Sequence, residues 1–172
     1  METINKLVRS LSQNDKDGYT VSVLIALILV SVLAASYYIL LKPPEERYMT
    51  IYLLDSQKKA LNYPELLVVN QNNTLSVFVN VENHEGESQL SEVLLKVANY
   101  TVPLFPVNVA ANANYTRTLE NGETWEIPAS VTITMPGNYS VIFELWTAAG
   151  GAGELQYSGN ACVLNVEVVS QV

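Results

Sequence analysis

The sequence predicts an all-β chain with one helix attached: a single N-terminal transmembrane helix followed by an immunoglobulin-like antiparallel β-sandwich. Three observations lead there. The stretch Gly18 to Leu41 is uncharged and rich in Leu, Ile, Val and Ala. Beyond Pro44 the apolar residues alternate with polar ones, the period of a half-buried strand. Short alternating segments then recur between Pro, Gly and Asn signals, without a helical pattern of convincing length.

The helix comes first. At ~1.5 Å of rise per residue the stretch 18–41 reaches ~36 Å, enough for a ~30 Å hydrocarbon core. Tyr37 and Tyr38 suit the aromatic belt of a membrane interface, and Lys42, Pro43 and Pro44 stop the helix with a charge and two rings. A cleaved secretory signal has a shorter apolar region, ~7–15 residues, ending in small residues. A prepilin-type leader is a special case, with Lys16, Asp17 and Gly18 ahead of the apolar run but no acidic residue near the start of the mature helix. The permanent anchor fits best. Ser22, Ala26, Ser31, Ala34 and Ala35 are candidate positions for close helix packing within the bilayer.

Ahead of the span, residues 1–17 form a cytoplasmic amphipathic segment. Ile4, Leu7, Val8 and Leu11 fall at i, i+3, i+4 and i+7 beside Lys6 and Arg9. That pattern suits a helix lying on the cytoplasmic leaflet, one packed on a partner, or the frayed start of the membrane helix. Asn14 to Gly18 are turn-forming residue types and predict a bend into the membrane.

Basic residues flank both sides of the span, so their count does not orient it. Composition does. Residues 43–172 carry five basic and fourteen acidic side chains, a net of −9, and all four N-x-Ser/Thr sequons, at Asn72, Asn99, Asn114 and Asn138. The expected arrangement in the cell membrane is an N-terminus inside, a C-terminal domain outside, and N-glycans at some of those asparagines.

A linker, 42–47, leads to an extracytoplasmic domain, 48–172. In Thr74–Glu82, Leu75, Val77, Val79 and Val81 share one face. Comparable strands are expected at Tyr48–Leu54, Leu66–Val69, Val93–Ala98, Tyr115–Leu119, Trp125–Ile127, Val131–Thr134, Tyr139–Trp146 and Val163–Val169. Roughly 125 residues bury one sandwich core but hardly two. The turn Met135-Pro136-Gly137-Asn138 followed by Tyr139 suggests a tyrosine corner, in which the hydroxyl bonds back to the preceding connection; an ordinary half-exposed Tyr is the alternative.

Tyr52-Leu53-Leu54-Asp55, Lys59-Ala60, Tyr63-Pro64, Asn83-His84-Glu85 and Gly122-Glu123-Thr124-Trp125-Glu126 occur in this order. In these segments the chain resembles the domain of unknown function 1616 family, found mainly in archaeal membrane proteins, over most of residues 48–169. The resemblance implies an archaeal, extracytoplasmic β-sandwich on a membrane anchor, with no assigned chemistry. Longer family members place several membrane segments before the domain; here one is expected, which suits an accessory subunit.

Catalytic signals are sparse. His84 is the only histidine and Cys162 the only cysteine, so neither a two-histidine zinc site nor an intrachain disulfide can form within one copy. Asn83, His84, Glu85 and Glu87 lack a calcium-loop pattern and read as a solvated turn. Cys162, in an alternating segment, reads as a buried small hydrophobe, with intermolecular pairing as the alternative. The glycine-rich run Ala148–Gly153 reads as a hairpin tip, since no helix follows to make a phosphate cradle. Trp125 and Trp146 read as packing residues. The segment 101–109 is apolar despite two prolines, and its Val102, Leu104, Phe105 and Val107 form either a docking loop or a lid over an open end of the sandwich. The acidic balance argues against nucleic acid. No cofactor, metal or enzymatic activity is expected. The expected role is a non-catalytic single-pass accessory subunit of a larger membrane complex, such as translocation or glycan-transfer machinery. The alternative is a cell-surface structural subunit: pilin-like, archaellum-associated or a coat-layer attachment protein.

Overall fold

The computed structural model describes residues 2–40, 46–99, 102, 104–149 and 153–170. The chain divides into two compact units, 1–45 and 46–172.

In the first unit a single helix, α1 (Glu2–Leu40), runs for 39 residues. The bend expected at Asn14–Gly18 is absent: these residues are helical. Gly costs a helix interior only about 1 kcal/mol relative to Ala, and Asn or Asp less, while extending a formed helix needs no new nucleus. Ser22–Leu40 is long and apolar enough to cross a membrane. The side chains of Ile4, Leu7, Val8 and Leu11 lie outside the described residues, as do the stop at Lys42-Pro43-Pro44 and most of the linker 42–47.

The second unit is an immunoglobulin-like β-sandwich. Its strands are β1 (Met49–Leu54), β2 (Leu66–Val68), β3 (Thr74–Asn83), β4 (Gln89–Ala98), β5 (Ala111–Leu119), β6 (Thr124–Thr132), β7 (Gly137–Ala149) and β8 (Gln156–Val169). Sheet A has the order β1-β3-β6 and sheet B the order β2-β8-β7-β4-β5. Every pairing is antiparallel except that of β2 with β8. The expected alternation places the core. Leu75, Val77, Val79 and Val81 of β3 face Val93 and Leu95 of β4 and Val141, Phe143 and Leu145 of β7 in one cluster. Trp125 packs against its margin, whereas Trp146 belongs to the outer face of sheet B.

Two expected strands are one. Trp125–Ile127 and Val131–Thr134 join into β6 straight through Pro128, which lies opposite Phe78 of β3. A proline is admissible there because β6 is an edge strand, so the missing N–H is absent from the open side. The edge of β1 is closed differently. Asn160 Nδ2 donates to Met49 O at 3.0 Å, and the Cys162 thiol to Ile51 O at 3.4 Å, so side chains of β8 reach across to the other sheet. Burial pushes the Cys162 thiol up to about 11.

Candidate functional site

The apolar segment after β4 does not cap an open end of the sandwich. It lies along the outer face of sheet B as a strap, held by a buried ion pair that sequence reasoning missed. Strands β4 and β7 are neighbours, with Lys96 opposite Ile142 and Leu94 opposite Glu144, so Lys96 and Glu144 are diagonal on one face. Lys96 Nζ meets Glu144 Oε2 at 2.8 Å, with side-chain exposures of 7% and 0%. The same ammonium donates to Val107 O at 2.7 Å, and Glu144 Oε1 accepts from Val107 N–H at 2.5 Å. Trp146 Nε1 adds a third donor to the carboxylate, at 3.2 Å on Oε2. A buried pair of charges is tolerable when its remaining lone pairs and protons are satisfied in this way. The sequence signal was present in each strand separately: one charge inside an apolar run, Leu94-Leu95-Lys96-Val97 and Ile142-Phe143-Glu144-Leu145.

The strap residues divide accordingly. Val107 is buried with Ala98 and Ile142, and Val102 and Val109 pack against that small second cluster. Leu104 is 77% exposed and Phe105 39%. Phe105 stacks on Tyr157 at 6.5 Å between centroids, and Tyr157 leans on Trp146 at 5.9 Å. Burial, and then the charge of Glu144, raise the Tyr157 pKa. Thus the backbone of Val107 anchors the strap and Leu104 and Phe105 form its outward tip. Thr101 and Pro103 lie outside the described residues.

Two of the motif segments, at Asn83 and at Gly122, form paired turns. Asn83, fully buried, donates through Nδ2 to Glu87 O at 2.8 Å and Leu119 O at 2.9 Å, and accepts the Glu85 N–H at 2.9 Å on Oδ1. Its backbone pairs with the next turn: Gly122 N–H to Asn83 O, and Asn83 N–H to Glu123 O. Gly122, at φ 81°, makes that turn, and Glu123 binds both the Glu120 N–H and Arg117. His84 lies under the Tyr48 ring at 4.8 Å, with Nε2 3.4 Å from Glu82 Oε2. Among the described residues no group of three or more His, Cys, Asp or Glu side chains is placed to hold a metal ion.

The tyrosine corner is not at Tyr139. Tyr139 lies near the start of β7 with its ring 3.4 Å from where a Gly137 Cβ would stand, packed on the core. The hydroxyl that bonds across a connection belongs to Tyr63, which donates to Leu53 O at 2.6 Å. Burial, then the charges nearby, raise the Tyr63 pKa. All four sequon asparagines are exposed: Asn72 in the turn after β2, Asn99 after β4, Asn114 on β5 and Asn138 at the start of β7. In α1 the five small residues do not share a face. At about 100° per residue, Ser22 and Ala26 lie on one side and Ser31, Ala34 and Ala35 on the other. The Ser31 hydroxyl is also bonded within its own helix, to Leu27 O at 2.8 Å. The tip of the glycine-rich hairpin, 150–152, is outside the described residues.

The model of the Domain of unknown function (DUF1616) family matches residues 42–164, most of the chain. The chain belongs to this family. Among solved structures it is similar to the CARDB domain of the PF1109 protein from Pyrococcus furiosus. The crystal structure of that domain in complex with di-metal ions is 18% identical, with 73% of this chain and 90% of that chain covered and a TM-score of 0.48. The solution structure of the same domain is 20% identical, covering 73% and 97%, also at a TM-score of 0.48. A β-glucosidase from Listeria innocua in complex with isofagomine is 14% identical over 73% of this chain and 16% of the enzyme, at a TM-score of 0.40. No curated protein matches the chain. Of the segments that carry the family resemblance, Asn83-His84-Glu85 and the start of Gly122–Glu126 form paired turns, while Tyr52-Leu53-Leu54 lies in β1 and Tyr63 bonds back to Leu53 O.

Proposed function

We propose that this chain is a non-catalytic, single-pass accessory subunit of a larger membrane complex, and that its β-sandwich makes protein contacts on the extracytoplasmic side. One observation carries the reading. The ion pair Lys96–Glu144 grips the backbone of Val107, so Leu104 and Phe105 are presented to solvent by a strap fixed to a rigid sheet. An apolar tip on such a base fits protein recognition, because a preorganised contact loses little conformational freedom on binding. Exposure of Asn72, Asn99, Asn114 and Asn138 supports glycosylation and hence the outward orientation. Ser22 and Ala26 supply the small-residue face on which the anchor packs laterally. Purification at native expression in mild detergent tests the proposal. A membrane protein recovered in fixed stoichiometry, and lost when Leu104→Ser and Phe105→Ser are combined, is expected; recovery of this chain alone contradicts it.

The uninterrupted helix from Glu2 to Leu40 ahead of a β-domain favours one alternative, a pilin-like surface subunit. It requires removal of the residues up to Gly18 and self-assembly. An intact N-terminus by mass spectrometry excludes it.

A further inference from the structure

The sequons are not equivalent in the folded domain. An N-x-Ser/Thr sequon is read through two groups, the asparagine amide that takes the sugar and the hydroxyl two residues on, and it is accordingly a motif of accessible surface segments. At Asn72, and at Asn114 on the edge strand β5, both groups are exposed, the hydroxyls being those of Thr74 and Thr116. Their contacts lie at the surface: Thr74 Oγ1 meets Thr132 Oγ1 at 2.9 Å, while Asn114 Nδ2 and Thr116 Oγ1 donate to Glu92 Oε1 at 3.2 and 3.4 Å. At Asn138 the two groups differ. Asn138 is exposed, whereas Ser140 is 4% exposed and its Oγ donates to Asn165 Oδ1 at 2.9 Å. Backbone pairing holds this segment from both sides, because β7 lies between β8 and β4, with Ser140 opposite Asn165 on one and Ala98 on the other. The facing part of β8 is fixed in turn: Glu167 N–H donates to Glu65 O at 2.8 Å, and Val166 and Val168 belong to the core. Thr101, the hydroxyl residue of the Asn99 sequon, lies outside the described residues.

We infer that Asn138 accepts an N-glycan only while β8 is undocked, whereas Asn72 and Asn114 remain acceptors on the folded domain; the inference rests on the glycosylation proposed above. To present Ser140 to a transferase, the folded chain must break the bond to Asn165 and peel β7 from two neighbouring strands, and opening inside a sheet costs up to the full stability of the domain. Before β8 docks, none of these contacts exists. Asn165 lies 25 residues beyond Ser140, so a chain exported from its N-terminal end presents the sequon ahead of its partner strand. A sugar added at that stage is compatible with later folding. Asn138 lines an open groove of 720 Å³ together with Asn99, Tyr63, Pro64 and Asn165, which leaves room for the attached sugar residues. The folded domain can therefore carry at Asn138 a glycan that it can no longer receive.

The test offers the full chain, produced without N-glycans and purified in detergent, to solubilised membranes of its native cell that contain the oligosaccharyltransferase and its lipid-linked donor. Two full-length substrates are compared. One is the folded chain; the other is the variant Val79→Asp/Phe143→Asp, which places two carboxylates at buried core positions and unfolds the sandwich while leaving every sequon intact. Melting curves establish the state of each, and mass spectrometry of glycopeptides reads occupancy site by site. The folded chain is expected to gain glycan at Asn72 or Asn114, and the unfolded chain to exceed it at Asn138 by at least about tenfold. Equal occupancy of Asn138 in the two substrates, Asn138 unmodified in both while Asn72 or Asn114 is modified, or a folded chain modified nowhere while the unfolded one is modified overturns the inference and leaves the glycosylation reading standing. Glycan at no sequon in either substrate overturns that reading, and the inference with it.

Discussion

At the scale of single residues the largest stake is the Lys96–Glu144 pair. Truncating one partner of a buried ion pair leaves the other charge unpaired and typically costs about 3–5 kcal/mol. Lys96→Met and Glu144→Gln are each expected to lose stability within that range, because each removes the partner that compensates a group buried under the strap. The double variant Lys96→Met/Glu144→Leu is expected to recover only part of the loss: it removes both charges but leaves the Val107 N–H and C=O and the Trp146 indole N–H without these partners. Denaturant unfolding of the detergent-solubilised chain reads all three. Cys162 gives a second residue-level expectation. Its pKa is raised from 9.0 to about 11 by burial. Because the folded value lies above the unfolded one, the favourable contribution of the neutral thiol is full below pH 9 and is lost as pH rises through 11. A Cys162→Ala variant is therefore expected to show a flatter stability profile across that interval. Neither charged residue was identified as a pair in the sequence. Each stands alone in its strand, and they lie 48 residues apart, so only the register between β4 and β7 brings them together.

At the scale of elements, alternation located the strands and punctuation blurred their limits. The core face of β3 was legible because Leu75, Val77, Val79 and Val81 follow a strict period of two. Pro128 suggested a break because a proline is costly in a central strand, and which strand lies at an edge depends on the order of the sheet. The bend expected at Asn14–Gly18 failed for a related reason: local turn preference is worth less than extension of an existing helix. The strap was recognised as an apolar, proline-bearing segment, while its seat on the outer sheet face depended on the unseen ion pair. The turn around Asn83 is open to a direct test. Asn83→Ala removes the amide that serves Glu87 O and Leu119 O, leaving the buried Leu119 acceptor unsatisfied, a cost of about 1–3 kcal/mol. Asn83→Asp is expected to be similarly damaging, since a carboxylate cannot donate to either carbonyl. A shift in unfolding midpoint without change in slope is the expected signature.

For the whole molecule, the long apolar helix and the sandwich were the most legible features because each rests on a pattern repeated over many residues. The surfaces were less so. Which apolar residues stay exposed and which polar atoms stay unpaired depend on packing across the two sheets. Topology gives a clean prediction at this scale. If the sandwich is extracytoplasmic, protease added to intact cells removes it, and peptide-N-glycosidase or chemical deglycosylation shifts its mass at Asn72, Asn99, Asn114 or Asn138. The role proposed here turns on what the strap touches. A photo-crosslinking residue placed at Leu104 in native membranes is the most direct measurement. A single dominant adduct with one membrane protein is expected, lost when Lys96→Met frees the strap from the sheet. No protein adduct from Leu104, or adducts only between copies of this chain, would contradict that role.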